Sequence, residues 1–174
     1  YRWNGMLQEP GIPKEERWNL YYTTACCLEE KGRKMVEQFV IPFDVDKIDL
    51  ARLKEYTPVV LSAIGVKLEE TGVVYSGNGL QFIVGLKQSF TSPDYFDLNR
   101  LHYKAICDRI TLALAKAGVK GQADVSVWSP ARLMRMPETR NQKPNKPERW
   151  SRVLQSNIER SDFRLEVASK LPTV

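Results

Sequence analysis

A nearly continuous apolar stretch of the chain ends in two aspartates. Residues 35–46 have the sequence Met-Val-Glu-Gln-Phe-Val-Ile-Pro-Phe-Asp-Val-Asp. Apolar content on both faces is typical of a strand in the middle of a sheet. Because side chains alternate across a strand, Asp44 and Asp46 are expected to project from the same face, a few ångströms apart.

Aromatic, capping and turn residues predict the elements around this strand. Residues 18–24 favour a strand, because they combine aromatic side chains with threonines. Asp49 can cap a helix that begins at Leu50, and Pro58 is expected to break or restart that helix. Two short apolar strands, residues 72–76 and 80–86, are separated by Gly77-Asn78-Gly79, a strong hairpin signal.

The second half of the chain predicts one long helix and then irregular structure. Pro93 and Asp94 open a helix that runs to about Ala117, and Gly118 ends it. Its apolar face is expected to comprise Phe96, Leu98, Leu101, Ile106, Ile110, Leu112 and Leu114. A further strand is predicted over 124–128, and a long functional loop over 132–150, because this segment has few apolar residues and three prolines. Residues 151–174 are expected to form one or two helices.

This order of elements predicts an α+β fold, a mainly antiparallel sheet with helices packed on one face. We assign residues 1–150 to one domain, with its core at about 17–145, and residues 151–174 to a C-terminal helical extension or linker. The numbering begins with Tyr1 rather than Met, so we expect a domain of a longer protein.

The composition of the chain excludes few classes of binding partner. The 174 residues carry a formal net charge of +5, which is compatible with a polyanionic partner without being diagnostic of one. The apolar run from Pro58 to Val66 is too short to span a membrane, so no membrane association is expected. Cys26, Cys27 and Cys107 lack a zinc-binding spacing, and His102 is the sole histidine, so a histidine-rich metal site is excluded.

The paired aspartates are the strongest candidate for chemistry. Two carboxylates about 4 Å apart repel by roughly 4 kcal/mol at an effective dielectric of 20. A divalent cation turns that repulsion into attraction, and hard oxygen ligands suit Mg²⁺ or Mn²⁺. Asp124, at the start of its predicted strand, could complete the site from a neighbouring strand. The alternative is that strand-end aspartates only cap the following turn.

Two further segments could contact phosphates. In Ser76-Gly77-Asn78-Gly79-Leu80-Gln81, glycines would let backbone N–H groups approach phosphate oxygens, although an ordinary Asn-Gly hairpin explains the segment equally well. Arg132 and Arg135 can fork onto phosphates, and Thr139, Asn141 and Lys143 add donors. Residues 132–152 contain seven basic and two acidic residues. A solvated basic loop is the alternative.

These segments, in this order, resemble the archaeo-eukaryotic primase superfamily, the primase-polymerases of plasmids, viruses and mobile elements. Phe43-Asp44-Val45-Asp46 matches its hydrophobic-Asp-x-Asp motif, and Ser76-Gly77-Asn78-Gly79-Leu80-Gln81 its Ser-Gly-x-Gly-x-His motif, with glutamine in place of histidine. Asp124 matches the acidic residue of its third motif. The stretch from Arg135 to Lys143 matches an Arg-x-Pro-x-Thr-x-Asn-x-Lys pattern, and Asn19-Leu20-Tyr21-Tyr22 is similar to the family's entry strand.

The resemblance implies an RRM-like sheet of the primase-polymerase type and a DNA-dependent nucleotidyltransferase, a primase and/or DNA polymerase that makes or extends primers by two-metal catalysis in replication. Mg²⁺ or Mn²⁺ would be held by the catalytic residues Asp44, Asp46 and Asp124. The nucleotide-binding residues would be Ser76, Gly77, Asn78, Gly79, Gln81, Arg132, Arg135 and Lys143. The DNA-binding residues would be Arg140, Asn141, Lys146 and Arg149. Gln81 can donate a hydrogen bond at the histidine position but carries no charge.

The partners implied are a DNA template and primer, nucleoside or deoxynucleoside triphosphates, and a helicase domain in the same parent polypeptide. The location implied is the cytoplasm, or the host cytoplasm for a virus or plasmid protein. Three alternatives remain open: a non-catalytic replication initiator or nucleic-acid-binding domain on the same scaffold, a metal-dependent nuclease, and an RNA-recognition module. The last would want exposed aromatic side chains on its central strands, where Asp44 and Asp46 fit poorly.

Overall fold

The structure is a computed structural model. It describes residues 21–23, 25–27, 35–90, 94–129, 132–142 and 147–172. The strands are β1 (Tyr21–Thr23), β2 (Ala25–Cys27), β3 (Met35–Asp46), β4 (Thr71–Tyr75), β5 (Leu80–Phe90), β6 (Gln122–Ala123), β7 (Leu133–Arg135), β8 (Arg140–Asn141), β9 (Arg149–Trp150) and β10 (Arg152–Gln155). The helices are α1 (Leu53–Ile64), α2 (Asp94–Lys116) and α3 (Leu165–Ala168). Short 3₁₀ helices span Leu50–Arg52, Leu68–Glu70 and Val125–Trp128.

The main sheet is antiparallel and is built around β3. Its strand order is β10-β4-β5-β3-β2, and β6 also pairs with β3, at the end that carries the aspartates. Val45 is therefore paired on both sides, with Leu80 of β5 and with Ala123 of β6. The predicted strand over 35–46 is confirmed, and so is the hairpin, in which Tyr75 pairs with Leu80 across the glycine turn.

All three helices pack on one face of this sheet. Ile41, Phe43 and Val45 of β3 belong to the same buried cluster as residues of α1, α2 and α3. The rings of Phe43 and Tyr103 stack with centroids 5.0 Å apart, and the Tyr103 hydroxyl donates to the carbonyl of Pro42 at 2.8 Å. The α+β fold with helices on one face is therefore confirmed.

The opposite face of the sheet, called the second face below, also carries buried residues. A smaller cluster there contains Val40, Val74, Ile83 and Ile158, with Tyr22 packed against it. Tyr22 lies in β1, which pairs with β7 to form a separate two-stranded ribbon. The even-numbered residues of β3, including Asp44 and Asp46, face this side because their odd-numbered neighbours face the helices.

Pro58 does not break α1, contrary to the sequence-based expectation. The helix runs unbroken from Leu53 to Ile64 with Pro58 inside it. Asp49, which accepts from Ala51 N–H at 3.0 Å, caps the 3₁₀ helix Leu50–Arg52 that precedes α1. Proline inside a helix costs about 3 kcal/mol. Buried Tyr56 and Ile64 lie on either side of Pro58, and their packing against the sheet holds both halves of the helix in line.

The apolar face of α2 differs from the predicted one. The helix itself is confirmed over Asp94–Lys116, but Leu101 and Leu112 are exposed by 74% and 46%. The side that faces the sheet carries Tyr103, Ile106, Cys107, Ile110 and Leu114. Tyr103 is absent from the predicted face. Its ring packs in the core because its hydroxyl donates to the Pro42 carbonyl there.

The predicted strand over 124–128 is wrong. Val125–Trp128 is a 3₁₀ helix, and the adjacent strand is the two-residue β6. Asp124 caps this helix, because its carboxylate accepts from the N–H of Ser126 at 2.8 Å. Such a local side-chain bond competes with strand pairing.

The segment from 132 onward is more ordered than its composition predicts. Residues 132–142 and 147–150 contain β7, β8 and β9 rather than a long loop. Arg152–Gln155, expected to be helical, forms an edge strand on β4, and the helix that follows is limited to Leu165–Ala168. Polar side chains here satisfy backbone groups, so the strands form without a hydrophobic pattern.

Residues 158–161 lie against the second face of the sheet beside Gly85 of β5. The Ser161 hydroxyl donates to the Gly85 carbonyl at 2.8 Å. A Cβ on Gly85 would lie 2.8 Å from the Glu159 carbonyl oxygen and 2.8 Å from Cγ2 of Ile158. Gly85 therefore permits a close approach that no other residue type allows.

We expect Gly85→Ala to lower the free energy of unfolding by about 1–3 kcal/mol, because the backbone of Glu159 has to shift. Urea denaturation measures the change. Gln88→Ala, an exposed position of the same strand, is the control and should stay within about 0.5 kcal/mol of wild type. Equal stability of the two variants would contradict the close packing described at Gly85.

Candidate functional site

The two aspartates at the end of β3 converge on Gly79. A Cβ placed on Gly79 would lie 3.2 Å from Oδ1 of Asp46 and 3.4 Å from Oδ1 of Asp44. It would also lie 2.6 Å from the Val45 carbonyl oxygen, so the position requires glycine. The geometry brings together the predicted carboxylate pair and the predicted glycine turn.

Asp124 is tied to this pair through its backbone but not through its carboxylate. Its N–H donates to the Asp44 carbonyl at 2.8 Å. Its Oδ2 accepts from the Ser126 hydroxyl at 2.8 Å and lies 3.4 Å from Nη2 of Arg132. Within the part of the chain that the structure describes, no group of three or more His, Cys, Asp or Glu side chains is arranged to hold a metal ion.

A cleft of about 750 Å³ connects Asp46 and Asp124. Lys47 and Lys104 also line it. The Lys47 ammonium donates to Oε1 of Gln122 at 2.7 Å. The backbone of Lys47 has a φ of 59°, which is uncommon for a residue other than glycine. Sequence reasoning missed Lys47, because a left-handed lysine leaves no signal in the residue pattern beyond its place after Asp46.

The negative charge of the aspartates contributes to the raised pKa values of two buried tyrosines. Burial, and secondarily the charge of Asp44, raise the pKa of Tyr22 well above its usual value. The Tyr22 hydroxyl is buried and makes no hydrogen bond to any residue that the structure describes. Burial is also the main cause of the raised pKa of Tyr103, to which Asp44 and Asp124 contribute. A buried thiol, Cys107, has its pKa raised to about 12 by burial and is therefore unreactive.

The turn from Ser76 to Gly79, in which Asn78 is half-buried and the other residues are buried, is closed by its own hydrogen bonds. Ser76 N–H donates to the Gly79 carbonyl at 2.9 Å, and Gly79 N–H donates to the Ser76 hydroxyl at 3.1 Å. Gly77 has a φ of 93°, in the left-handed region. The N–H groups of Gly77 and Asn78 donate to no residue among those described.

Gln81 lies on the second face of the sheet between Asp44 and Val74, the residues with which it is paired. It is 2% exposed, and its amide faces the backbone of Arg135. In the orientation that satisfies both groups, the amide donates to the Arg135 carbonyl and accepts from the Arg135 N–H, each at 3.2 Å. Gln81 therefore attaches β7 to the main sheet.

The Arg135–Asn141 stretch is also part of the framework. Arg135 is 4% exposed, donates to the Tyr21 hydroxyl at 2.7 Å and stacks over the Tyr21 ring at 4.7 Å. Burial lowers its pKa. Thr139 is fully buried and donates to the Met136 carbonyl at 2.7 Å. Asn141 is 2% exposed and donates to the Ser76 carbonyl at 2.8 Å.

The remaining basic candidates lie at or near the surface. Arg132 is exposed beside Asp124. Arg140 packs over the Trp150 ring at 5.2 Å and lies 3.5 Å from Glu148. Arg149 donates to the Gly77 carbonyl at 3.3 Å. Lys143 and Lys146 lie outside the described residues.

Comparisons with known proteins leave the family open. No protein-family model matches the sequence, and no curated protein matches it. The polymerase domain of Ligase D from Mycobacterium tuberculosis, solved in complex with DNA, is similar with a TM-score of 0.45 and 21% identity over 63% of this chain. The chain spans 42% of that solved chain. A likeness at this score does not identify the fold family.

No helix in the described ranges has the length and apolarity needed to cross a membrane.

Proposed function

We propose that this chain is a DNA-dependent nucleotidyltransferase, a primase and/or DNA polymerase. The observation that carries the proposal is the convergence of Asp44 and Asp46 on Gly79, at the end of a strand paired on both sides. In the reaction, a 3′-hydroxyl oxygen forms a bond to the α-phosphorus of a nucleoside triphosphate. The bond to the leaving pyrophosphate breaks, and the hydroxyl proton passes to water.

The donor chemistry of the aspartates fits Mg²⁺ or Mn²⁺, because carboxylate oxygens on a rigid strand end are suitable ligands for both. Asp44 and Asp46 would hold the ions, and Asp124 would join them once its carboxylate leaves Ser126 and Arg132. When bound, such ions activate the attacking hydroxyl and neutralise charge on the triphosphate.

Arg132 is the residue proposed to link substrate binding to the carboxylates. Its guanidinium lies 3.4 Å from Oδ2 of Asp124, and both side chains are partly exposed. A surface ion pair of this kind contributes only about 0–1 kcal/mol, so an incoming phosphate can displace the carboxylate. Arg132 would then bind the phosphate bidentately and release Asp124 towards the other two aspartates.

The N–H groups of Gly77 and Asn78 are proposed to bind phosphate oxygens beside the aspartates. Gly77 stands in the left-handed conformation that brings successive N–H groups together in such turns. For Gln81 and Arg135 direct phosphate contact stays a prediction, and each would have to leave the partner described above. DNA contacts by Arg140, Asn141 and Arg149 also stay predictions, as do the roles of Lys143 and Lys146.

A non-catalytic DNA-binding or initiator domain on the same scaffold is the second candidate. Two observations favour it: both Asp124 oxygens accept bonds from within their own segment, and Gln81 is engaged by Arg135. This candidate predicts DNA binding that weakens with salt, without incorporation in the presence of any divalent ion.

We expect Asp44→Asn and Asp46→Asn each to abolish nucleotide incorporation with Mg²⁺ or Mn²⁺, because each removes a charged ligand. The free energy of unfolding should stay within about 1 kcal/mol of wild type, since each change also relieves like-charge repulsion. Primer extension and urea denaturation measure the two quantities. Asp162→Asn, which removes an exposed carboxylate paired with Lys87, is the control. Incorporation by either aspartate variant at the wild-type rate would refute the assignment.

Arg132→Ala should weaken binding of a fluorescent nucleoside triphosphate and lower the slope of log K against log salt concentration by about one unit, if this guanidinium contacts a phosphate. Fluorescence anisotropy over a salt series measures the slope. Arg52→Ala is the control, because Arg52 is exposed and paired with Glu55 at the start of α1. An unchanged slope for Arg132→Ala would show that Arg132 pairs with Asp124 and contacts no phosphate.

A further inference from the structure

We propose that Asn141 and Arg149 are positioning residues that aim the N–H groups of the Ser76–Gly79 turn, rather than residues that contact nucleic acid themselves. This inference rests on the proposed phosphate-binding role of that turn. It concerns the two-stranded ribbon of β8 and β9, in which Asn141 is paired directly with Arg149.

The two strands of the ribbon donate to consecutive carbonyls of the turn. Nδ2 of Asn141 donates to the Ser76 carbonyl at 2.8 Å, and Nη1 of Arg149 donates to the Gly77 carbonyl at 3.3 Å. The Tyr75 hydroxyl donates to the same Gly77 carbonyl at 2.7 Å. The Ser76 carbonyl is available for Asn141 because Gly79 N–H is bonded to the Ser76 side chain instead.

Fixing these two carbonyls also fixes two N–H groups. In a trans peptide the N–H points opposite to the carbonyl of the same peptide unit. The carbonyls of Ser76 and Gly77 share their units with the N–H groups of Gly77 and Asn78. Since both carbonyls point at the ribbon, both N–H groups point away from it, which creates two adjacent donors suited to an anion.

Close packing at Gly77 holds the ribbon in this register. A Cβ on Gly77 would lie 3.0 Å from both Cβ and Nδ2 of Asn141 and 3.4 Å from Cβ of Arg149. A shift of either side chain along the turn would therefore break its hydrogen bond to the Ser76 or Gly77 carbonyl.

The Asn141 amide makes this contact at a cost. Its Oδ1 is buried and accepts no hydrogen bond from the residues that the structure describes. A buried polar atom left unsatisfied destabilises a fold, and such atoms in native structures call for an explanation. The donation to Ser76 supplies one, because an apolar side chain of similar size would leave the Ser76 carbonyl unheld.

The test uses the isotope-labelled full chain and inorganic triphosphate as the probe, titrated both without and with Mg²⁺. In the wild type, we expect the amide signals of Gly77 and Asn78 to shift on titration. Asn141→Ala should weaken triphosphate binding about fivefold, the equivalent of one hydrogen bond, and should move both amide signals before any ligand is added. Gln142→Ala, an exposed neighbour on the ribbon, is the matched control and should behave as wild type.

Arg149 provides a second and independent pair of variants, because it is only partly buried and its replacement is easier to tolerate. Arg149→Gln keeps a donor for the Gly77 carbonyl without the charge, and Arg149→Ala removes both. A positioning role predicts tighter triphosphate binding by Arg149→Gln than by Arg149→Ala. Equal weakening in both would show a direct charge contact and overturn the inference for Arg149.

The outcomes separate the two levels of the proposal. If triphosphate shifts the Gly77 and Asn78 signals and Asn141→Ala binds as tightly as wild type, the positioning role is refuted while the phosphate-binding turn stands. If wild type shows no shift at these amides, the phosphate role of the turn fails and the inference fails with it. Primer extension by the wild type then decides separately whether the chain is a polymerase. If Asn141→Ala does not fold, the Arg149 variants decide.

Discussion

The backbone of Gly79 lies so close to the end of β3 that no side chain fits between them, and the candidate site depends on this contact. It places the turn between β4 and β5 against both aspartates of β3. Because β3 is paired on both sides at Val45, the strand end cannot retreat from the turn. Two carboxylates are thereby held on the same side of the turn, where like charges repel.

Buried polar side chains hold several segments together on the second face of the sheet, beside the apolar cluster there. Gln81 holds β7 through the backbone of Arg135, and Asn141 holds the glycine turn through a carbonyl. Thr139 lies between Arg135 and Asn141; its N–H donates to the Ser151 hydroxyl at 2.9 Å, and its own hydroxyl donates to the Met136 carbonyl. Each of these side chains is buried, so its bond is formed in a low-dielectric setting where losing it is costly. A motif that looks like a set of phosphate donors therefore also serves as a scaffold.

Strong local patterns predicted most of the helical side of the molecule. The apolar run of β3, the Asn-Gly hairpin and the extent of α2 are each determined by neighbours in sequence, and the structure follows them. Alternation along β3 also placed Asp44 and Asp46 on one face. The failures around the site involve polar side chains, whose hydrogen bonds leave no hydrophobic pattern in the sequence. Asp124 is governed by a bond to Ser126 that no periodicity reveals, and the partners of Gln81 and Asn141 are distant in sequence. Burial of polar residues without an apolar pattern made β7, β8 and β9 invisible to a hydrophobicity argument.

The antiparallel pairing of β10 with β4 bears on where the polypeptide can be shortened. Arg152, Val153 and Gln155 occupy the outer edge of β4, and Ser161 extends that cover to Leu86 of β5. A protein ended at residue 150 would leave the backbone donors and acceptors of β4 open to other chains. Such bare edges promote intermolecular association. Residues 152–161 thus shield this edge from pairing with other chains, and soluble fragments should retain them.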